Sequence, residues 1–138
     1  MKINLQRAVV TGGVIFIALF AYEFLVHHIL LRSTYESLAH LWRPKAEMGQ
    51  YFKFMMIGNI FYAVFFAIIF AKGFEPKKAA LGQGIRFGAL IALFLSPANS
   101  LGWYAILPIP GSLAVSWLLA CAGGNILSGI VAGFVYRP

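Results

Sequence analysis

Four long apolar stretches constrain what this chain can fold into. They cover residues 8–31, 51–71, 84–107 and 112–136. A helix needs about 20 apolar residues to cross the hydrocarbon core of a bilayer, and each stretch reaches that length. Hydrophobic residues make up 61% of the chain and charged residues only 11%, so little is left for a soluble domain. The sequence therefore predicts an all-α transmembrane four-helix bundle, with residues 1–138 forming a single integral membrane domain.

The basic residues lie near the ends of these stretches, which indicates how the chain crosses the membrane. If the helices alternate in direction, seven basic residues fall on the side of the termini and four on the opposite side. The first set is Lys2, Arg7, Lys72, Lys77, Lys78, Arg86 and Arg137, and the second is Arg32, Arg43, Lys45 and Lys53. Loops rich in Lys and Arg stay in the cytoplasm, so we expect both termini there. We also expect the first stretch to be retained as a helix, because no small-residue cleavage site follows it.

Several classes of function are not expected from the composition. The formal net charge is +7, but the basic residues are not clustered with aromatic residues as on nucleic-acid-binding surfaces. The chain contains no Asp and no Gly-rich loop after a strand, so we expect no enzyme and no catalytic residues. The single cysteine, Cys121, cannot form an intrachain disulfide or a Cys-based metal site. We therefore expect no nucleic acid partner, no metal site and no cofactor, apart from one alternative given below.

The first connection, residues 32–50, is the longest and most polar. Its apolar residues recur at helical spacing, with Ser33 as a possible cap and Glu36 three residues later as its capping-box partner. This pattern predicts a short interfacial helix that Pro44 ends. Trp42 and Arg43 are expected to anchor this helix at the depth of the lipid headgroups.

Small residues recur every four positions in three of the stretches. Helices in lipid associate through close backbone contact, which small residues allow. The predicted packing residues are Ala63 and Ala67 in the second stretch, Gly84 and Gly88 in the third, and Gly124, Ser128, Gly129 and Gly133 in the fourth. The fourth stretch carries two such stripes side by side, more than a monomeric bundle needs. We therefore expect a homo-oligomer or contacts with other membrane protein subunits, in addition to the lipid bilayer.

Glu23 is the only acidic residue within an apolar stretch. A carboxylate is costly there and usually has a partner or a function. His27 follows one helical turn later, and counting at about 1.5 Å per residue places Asn59 and Asn99 near the depth of Glu23. The predicted polar layer comprises Glu23, His27, Asn59, Ser96, Asn99 and Asn125. We expect it in the outer half of the bundle, on the side away from the termini.

Three hypotheses explain this polar layer. In the first, Glu23 is neutral and only joins helices by hydrogen bonds. In the second, Glu23 is a proton-coupled binding carboxylate, His27 relays protons, and Asn59 and Asn99 contact a solute. In the third, His27 or His28, with His40 and Glu23 nearby, ligates a metal or haem that a partner subunit completes. Neighbouring histidines on one helix diverge by about 100°, which disfavours the third hypothesis.

The motifs YEFLVHH, LWRPKAEM and AKGFE occur in this order along the chain. In this layout the sequence resembles a family of small bacterial four-helix integral membrane proteins to which no activity is assigned. The resemblance implies a bacterial origin and a place in the cytoplasmic (inner) membrane, and it carries over no site residues. The sequence as a whole favours a small accessory or structural subunit of a membrane complex or homo-oligomer. The alternatives are a small proton-linked transporter or solute-binding membrane protein that uses Glu23, and the metal or haem site.

Overall fold

A computed structural model describes residues 3–137 of the chain, and this part is predominantly helical, with no strand. Five α-helices follow in chain order. They are α1 (Leu5–Glu23), α2 (Arg32–Ser37), α3 (Lys45–Lys72), α4 (Ala80–Ile106) and α5 (Gly111–Val135). A π-helical segment, Phe24–Leu30, continues α1, and one turn of 3₁₀-helix, Ala39–Leu41, follows α2.

Four helices are long and apolar enough to cross a membrane, which confirms the prediction of a multi-pass membrane protein with an all-α bundle. They are α1 together with its π-helical continuation, α3, α4 and α5. All four begin earlier than the apolar stretches suggested, and the difference is largest for α3 and α4. Helix α3 begins at Lys45, directly after Pro44, and α4 begins at Ala80. The first turns of these two helices contain charged or polar residues, so a count of apolar residues places their starts too late.

The helices are arranged in the order α3, α1, α5, α4 around the bundle. Helix α5 packs most extensively against α4 and also against α1, while α1 packs against α3. Packing between α3 and α4 is sparse, so the bundle is incompletely closed on that side. We call the end that carries residues 31–44 and 107–110 the cap end, and the end that carries residues 73–79 and Tyr136 the terminal end.

Close backbone packing joins α4 to α5. A Cβ atom added at Gly88 would lie 2.6 Å from the carbonyl oxygen of Asn125 and 2.8 Å from Ile126 Cα. Gly84 approaches the Gly129 carbonyl more closely still, and Gly133 approaches Ala80. Only glycine permits this approach, and the contact supplies the van der Waals attraction that holds helices together in lipid.

The small-residue stripe of α5 that contains Gly124 packs against α1 within the same chain. Gly124 lies against the side chains of Leu19 and Tyr22. The Tyr22 hydroxyl also donates a hydrogen bond of 3.0 Å to the carbonyl oxygen of Ala120. Both stripes of α5 are therefore occupied by neighbouring helices, and the reason for expecting an oligomer from spare packing surface no longer holds.

An aromatic cluster closes the terminal end. The ring of Phe87 in α4 meets the rings of Phe66 and Phe70 in α3 edge-on, at centroid distances of 5.0 and 5.3 Å. Phe74 and Tyr136 extend the cluster, and the Tyr136 hydroxyl accepts a hydrogen bond from the Asn4 backbone N–H. These contacts hold α3 and α4 together at this end. Ala63, Ala67 and Ala71 of α3 are buried alongside them.

The second connection is held at the same end by polar contacts. The Glu75 carboxylate accepts hydrogen bonds from Lys78 Nζ, at 2.9 Å, and from Arg86 Nη2, at 2.7 Å. These two bonds hold the pKa of Glu75 below its usual range. The buried side chain of Gln83 accepts a hydrogen bond from the Glu75 backbone N–H and donates to the Lys78 carbonyl. Residues 73–79 therefore form a compact turn that fixes the start of α4.

The first connection folds over the cap end, but not as one helix. It forms a short helix, α2, and a 3₁₀ turn, and both end before Pro44. The predicted capping box is wrong, because Leu31 precedes α2 without a side-chain cap and Glu36 instead pairs with Arg32 at 3.0 Å. The apolar residues of this connection pack onto the start of α5. The cluster comprises Ile109, Leu113 and Ala114 with Leu31, Tyr35, Leu38, Leu41, Trp42, Leu107 and Trp117.

The glycine contacts predict opposite effects for the same substitution at two sites of α4. Gly88→Ala forces a Cβ against the α5 backbone and is expected to lower the free energy of unfolding by about 1–3 kcal/mol. Gly102→Ala adds a Cβ where nothing lies within 4 Å, so it is expected to stabilise the protein by about 0.5–1 kcal/mol through the unfolded chain. Denaturation in mixed detergent micelles, followed by circular dichroism, measures both. Equal effects of the two changes would contradict the close α4–α5 approach.

Candidate functional site

A cavity of about 1750 Å³ occupies the cap half of the bundle. Its wall includes side chains from α1, the first connection, α3, α4 and α5. Because α3 and α4 both line the cavity but pack together mainly at the Phe87 cluster, the cavity opens between them, on the side that would face lipid. Most of the wall is apolar, and the polar residues come from separate helices.

The first polar contact in the cavity joins α1 to α3. Asn59 Nδ2 donates a hydrogen bond of 3.1 Å to Glu23 Oε2. Both side chains are half-buried and both line the cavity. Within residues 3–137, no donor forms a hydrogen bond with the second carboxylate oxygen, Oε1. The depth count from sequence had placed Glu23 and Asn59 together, and the structure brings them into contact.

The second polar contact joins α3 to α5. The Tyr62 hydroxyl donates a hydrogen bond of 2.8 Å to Asn125 Oδ1. Asn125 is buried, and its Nδ2 donates to the Cys121 carbonyl at 2.8 Å. Tyr62 was missed in the sequence, although it lies three residues after Asn59 and therefore on the same face of α3. The amide of Asn125 is thus fixed by two partners at the floor of the cavity.

The third polar contact closes the cavity at the cap end. Tyr35 in α2 lies between His27 and Trp117, with its hydroxyl oxygen 2.6 Å from His27 Nδ1 and 2.7 Å from Trp117 Nε1. An indole N–H can only donate, so the hydroxyl accepts from Trp117 and its own hydrogen is available to His27. Burial raises the pKa of the Tyr35 phenol above its usual range, so the hydroxyl retains its hydrogen. Trp42 completes the cap by donating from Nε1 to the Tyr35 carbonyl, at 3.2 Å.

The three histidines lie apart from one another in their contacts. Glu23 and His27 both line the cavity, but His27, in the π-helical segment, contacts Tyr35 and forms no hydrogen bond with Glu23. His28 stacks on the ring of Phe24 at a centroid distance of 5.0 Å, and His40 is exposed on the 3₁₀ turn. No group of three His, Cys, Asp or Glu side chains in the described residues could hold a metal ion.

Ser96 and Asn99 of α4 lie in different surroundings. Ser96 is buried on the same stripe as Gly84, Gly88 and Ala92, and its hydroxyl has no hydrogen-bond partner in the described part of the chain. Asn99 is exposed on the cavity wall. The predicted layer therefore divides: Glu23, Asn59, Asn99 and Asn125 line the cavity, His27 belongs to its cap, and Ser96 belongs to the helix interface.

The predicted anchors Trp42 and Arg43 lie at the rim of the cavity. Trp42 is half-buried and packs against the ring of Trp117, at a centroid distance of 6.2 Å. Arg43 is exposed, and its guanidinium carbon lies 4.0 Å from the ring centre of Tyr51. All three tryptophans of the chain, Trp42, Trp103 and Trp117, line the cavity. Sequence alone could not show that residues so far apart share one wall.

Comparison of the chain with models of protein families, with curated proteins and with solved structures found no match.

The hydroxyl of Tyr35 is expected to stabilise the cap end through its contacts with His27 and Trp117. Tyr35→Phe removes the one oxygen that pairs with both His27 and Trp117 and is expected to lower the free energy of unfolding by about 1–3 kcal/mol. Tyr104→Phe is the matched control, because Tyr104 is exposed and makes no described hydrogen bond. Unfolding titrations of the two variants test this, and a loss no larger for Tyr35 than for Tyr104 would mean that the phenol does not hold the cap.

Proposed function

We propose that this protein binds an amphiphilic solute in the cavity between α3 and α4, which makes it a solute-binding membrane protein. The observation that carries the proposal is a large apolar cavity whose polar groups converge from separate helices. Ligand sites have this character: an apolar wall that supplies affinity and a few placed polar groups that fix orientation. The Glu23–Asn59 pair supplies those groups here, together with the exposed amide of Asn99.

The size of the cavity supports an amphiphile rather than a small polar solute. Sites for drug-sized ligands measure about 300–1,000 Å³, and this cavity exceeds that range. Met48, Met55 and Leu95 line it, and such side chains suit a hydrocarbon body that adapts its shape. An opening between two membrane-crossing helices would let such a molecule enter from the bilayer, without passing through water.

Proton-linked transport would use the same site. A carboxylate within a membrane-crossing helix is a natural place for proton exchange, and Glu23 makes only one hydrogen bond in the described residues. His27 lies at the cap rather than beside Glu23, so a relay between them would need a bridging water or a movement of the π-helical segment. Binding is therefore the better-supported part of this proposal.

The accessory-subunit hypothesis keeps less support than it had from the sequence. Its main argument was the pair of stripes on α5, and both are packed within the chain, against α4 and α1. The exposed apolar residues of α3, among them Phe54, Phe61 and Phe65, suit contact with lipid or with another subunit equally well. The hypothesis of a metal or haem shared with a partner is not supported by the contacts of His27 and His28, because His27 contacts Tyr35 and His28 stacks on Phe24.

We further propose a bacterial inner membrane location with both termini in the cytoplasm. Most basic residues of the described chain lie towards the terminal end, where Arg7, Lys72, Lys77, Lys78, Arg86 and Arg137 are found. The cap end carries Arg32, Arg43 and Lys45, with Lys53 in the third turn of α3. The difference favours the terminal end as the cytoplasmic one. In this orientation the cavity opens in the outer half of the bilayer.

The cavity can be tested through its own tryptophans. Titration with a neutral amphiphile that carries a nitroxide on its chain should quench tryptophan fluorescence saturably, because all three indoles line the cavity. Ala98→Phe places a ring in the cavity and is expected to weaken the apparent affinity by about tenfold, the equivalent of losing about 1.4 kcal/mol of binding. Ala98 lies on the wall, so the ring competes directly for the space.

Ala105→Phe is the matched control, since Ala105 is an exposed residue of the same helix that does not line the cavity. It should leave the titration unchanged. Quenching that rises without saturation, or that responds equally to the two variants, would show only collision with probe in the surrounding lipid and would contradict the proposed binding.

A further inference from the structure

We propose that the ligand of this cavity is an amphiphilic organic cation, whose charge is held by Glu23. The inference rests on the proposed binding function and adds the chemical class of the ligand. It comes from two features of the cavity wall: a carboxylate without a cationic partner, and aromatic side chains that line the same cavity.

Glu23 is the carboxylate of the cavity wall that has no basic partner in the described residues. Two carboxylates line the wall, and the other one, Glu36, forms an ion pair with Arg32 at 3.0 Å. The ion pairs of residues 3–137 involve Glu36 and Glu75, and none involves Glu23. Glu23 accepts a single hydrogen bond, from the neutral amide of Asn59. The ionised form of a partly buried carboxyl group is stabilised by an opposite charge, and no basic side chain of residues 3–137 pairs with Glu23.

Lys45, a basic residue of the rim, lies far along the bundle from Glu23. Lys45 begins α3, and Asn59, the contact of Glu23, lies fourteen residues further on. At 1.5 Å per residue this is about 21 Å along the helix. Coulomb attraction falls with distance, so at about 21 Å it is about one fifth of that at 4 Å. The positive rim would also disfavour a cation that arrives from water, and therefore favours access through the opening between α3 and α4.

The aromatic wall suits a cation with an apolar body. Aromatic residues line the cavity on several elements: Tyr22 and Phe24 on the first helix, Tyr62 on α3, Trp103 on α4 and Trp117 on α5. The face of an aromatic ring attracts a cation, Trp most strongly. An anionic head would meet the uncompensated Glu23 and be repelled. A neutral head would leave that carboxylate without a counter-charge.

The class of ligand is tested with three amphiphiles that share one nitroxide-labelled chain and differ in the head: trimethylammonium, hydroxyl or sulfate. Each is titrated against tryptophan fluorescence of the full chain in a neutral detergent. The ammonium is expected to bind at least about tenfold more tightly than the sulfate, with the alcohol between them.

Two variants then assign the preference to one carboxylate. Glu23→Gln retains an oxygen for Asn59 and is expected to abolish the preference for the ammonium, while binding of the alcohol persists. Glu47→Gln is the matched control, because Glu47 is an exposed carboxylate of α3 that does not line the cavity, and it is expected to keep the preference. Binding of the alcohol also reports that each variant is folded with its cavity intact.

The outcomes separate the two proposals. Saturable binding of all three amphiphiles with equal affinity, or a preference that survives Glu23→Gln, overturns the cation inference and leaves the binding function standing. Tighter binding of the sulfate also overturns it and moves recognition to Arg43 and Lys45 at the rim. Saturable binding by none of the three overturns the binding function itself.

Discussion

The backbone contact between α4 and α5 is the constraint on which the rest of this structure depends. Gly84 and Gly88 allow α4 to approach the backbone of α5 so closely that the two helices form a tightly packed pair. The other stripe of α5 binds α1, and α1 in turn binds α3. Each helix is therefore tied to the next in an open arc. The ends of this arc, α3 and α4, meet only where the Phe87 cluster joins them, and the space left between them is the cavity.

The same arc explains where polar side chains can lie. Three hydrogen-bonded contacts cross between elements in the cap half: Glu23 with Asn59, Tyr62 with Asn125, and Tyr35 with His27 and Trp117. The first two join α3 to α1 and to α5, in the half of the bundle where α3 does not pack against α4. They join helices on the open side of the bundle, and their side chains also line the cavity or its cap. A structural role for Glu23 and a binding role are thus compatible, because Oε2 serves the first and Oε1 remains for the second.

The sequence predicted the number of membrane-crossing helices and the class of fold, because apolar length is a local property. It also placed Glu23 beside Asn59, since depth follows from counting residues along two straight helices. The partner of His27 could not be found this way, because the π-helical segment alters the helical phase and Tyr35 enters only when the first connection docks on α5. The cavity could not be predicted either. It depends on which helices remain apart, and small-residue stripes show where helices can meet without showing which partners they choose.

The divergence of α3 and α4 is tested most directly by distances between spin labels in lipid nanodiscs, with Cys121 replaced by Ala. Phe52 of α3 and Leu101 of α4 report on the cap half, while Ile69 and Leu90 of the same helices report on the terminal half. All four side chains are exposed, so labels should be tolerated. We expect a clearly longer distance for the pair Phe52 and Leu101 than for the pair Ile69 and Leu90. Equal distances, or a shorter one in the cap half, would contradict an open cavity between the two helices.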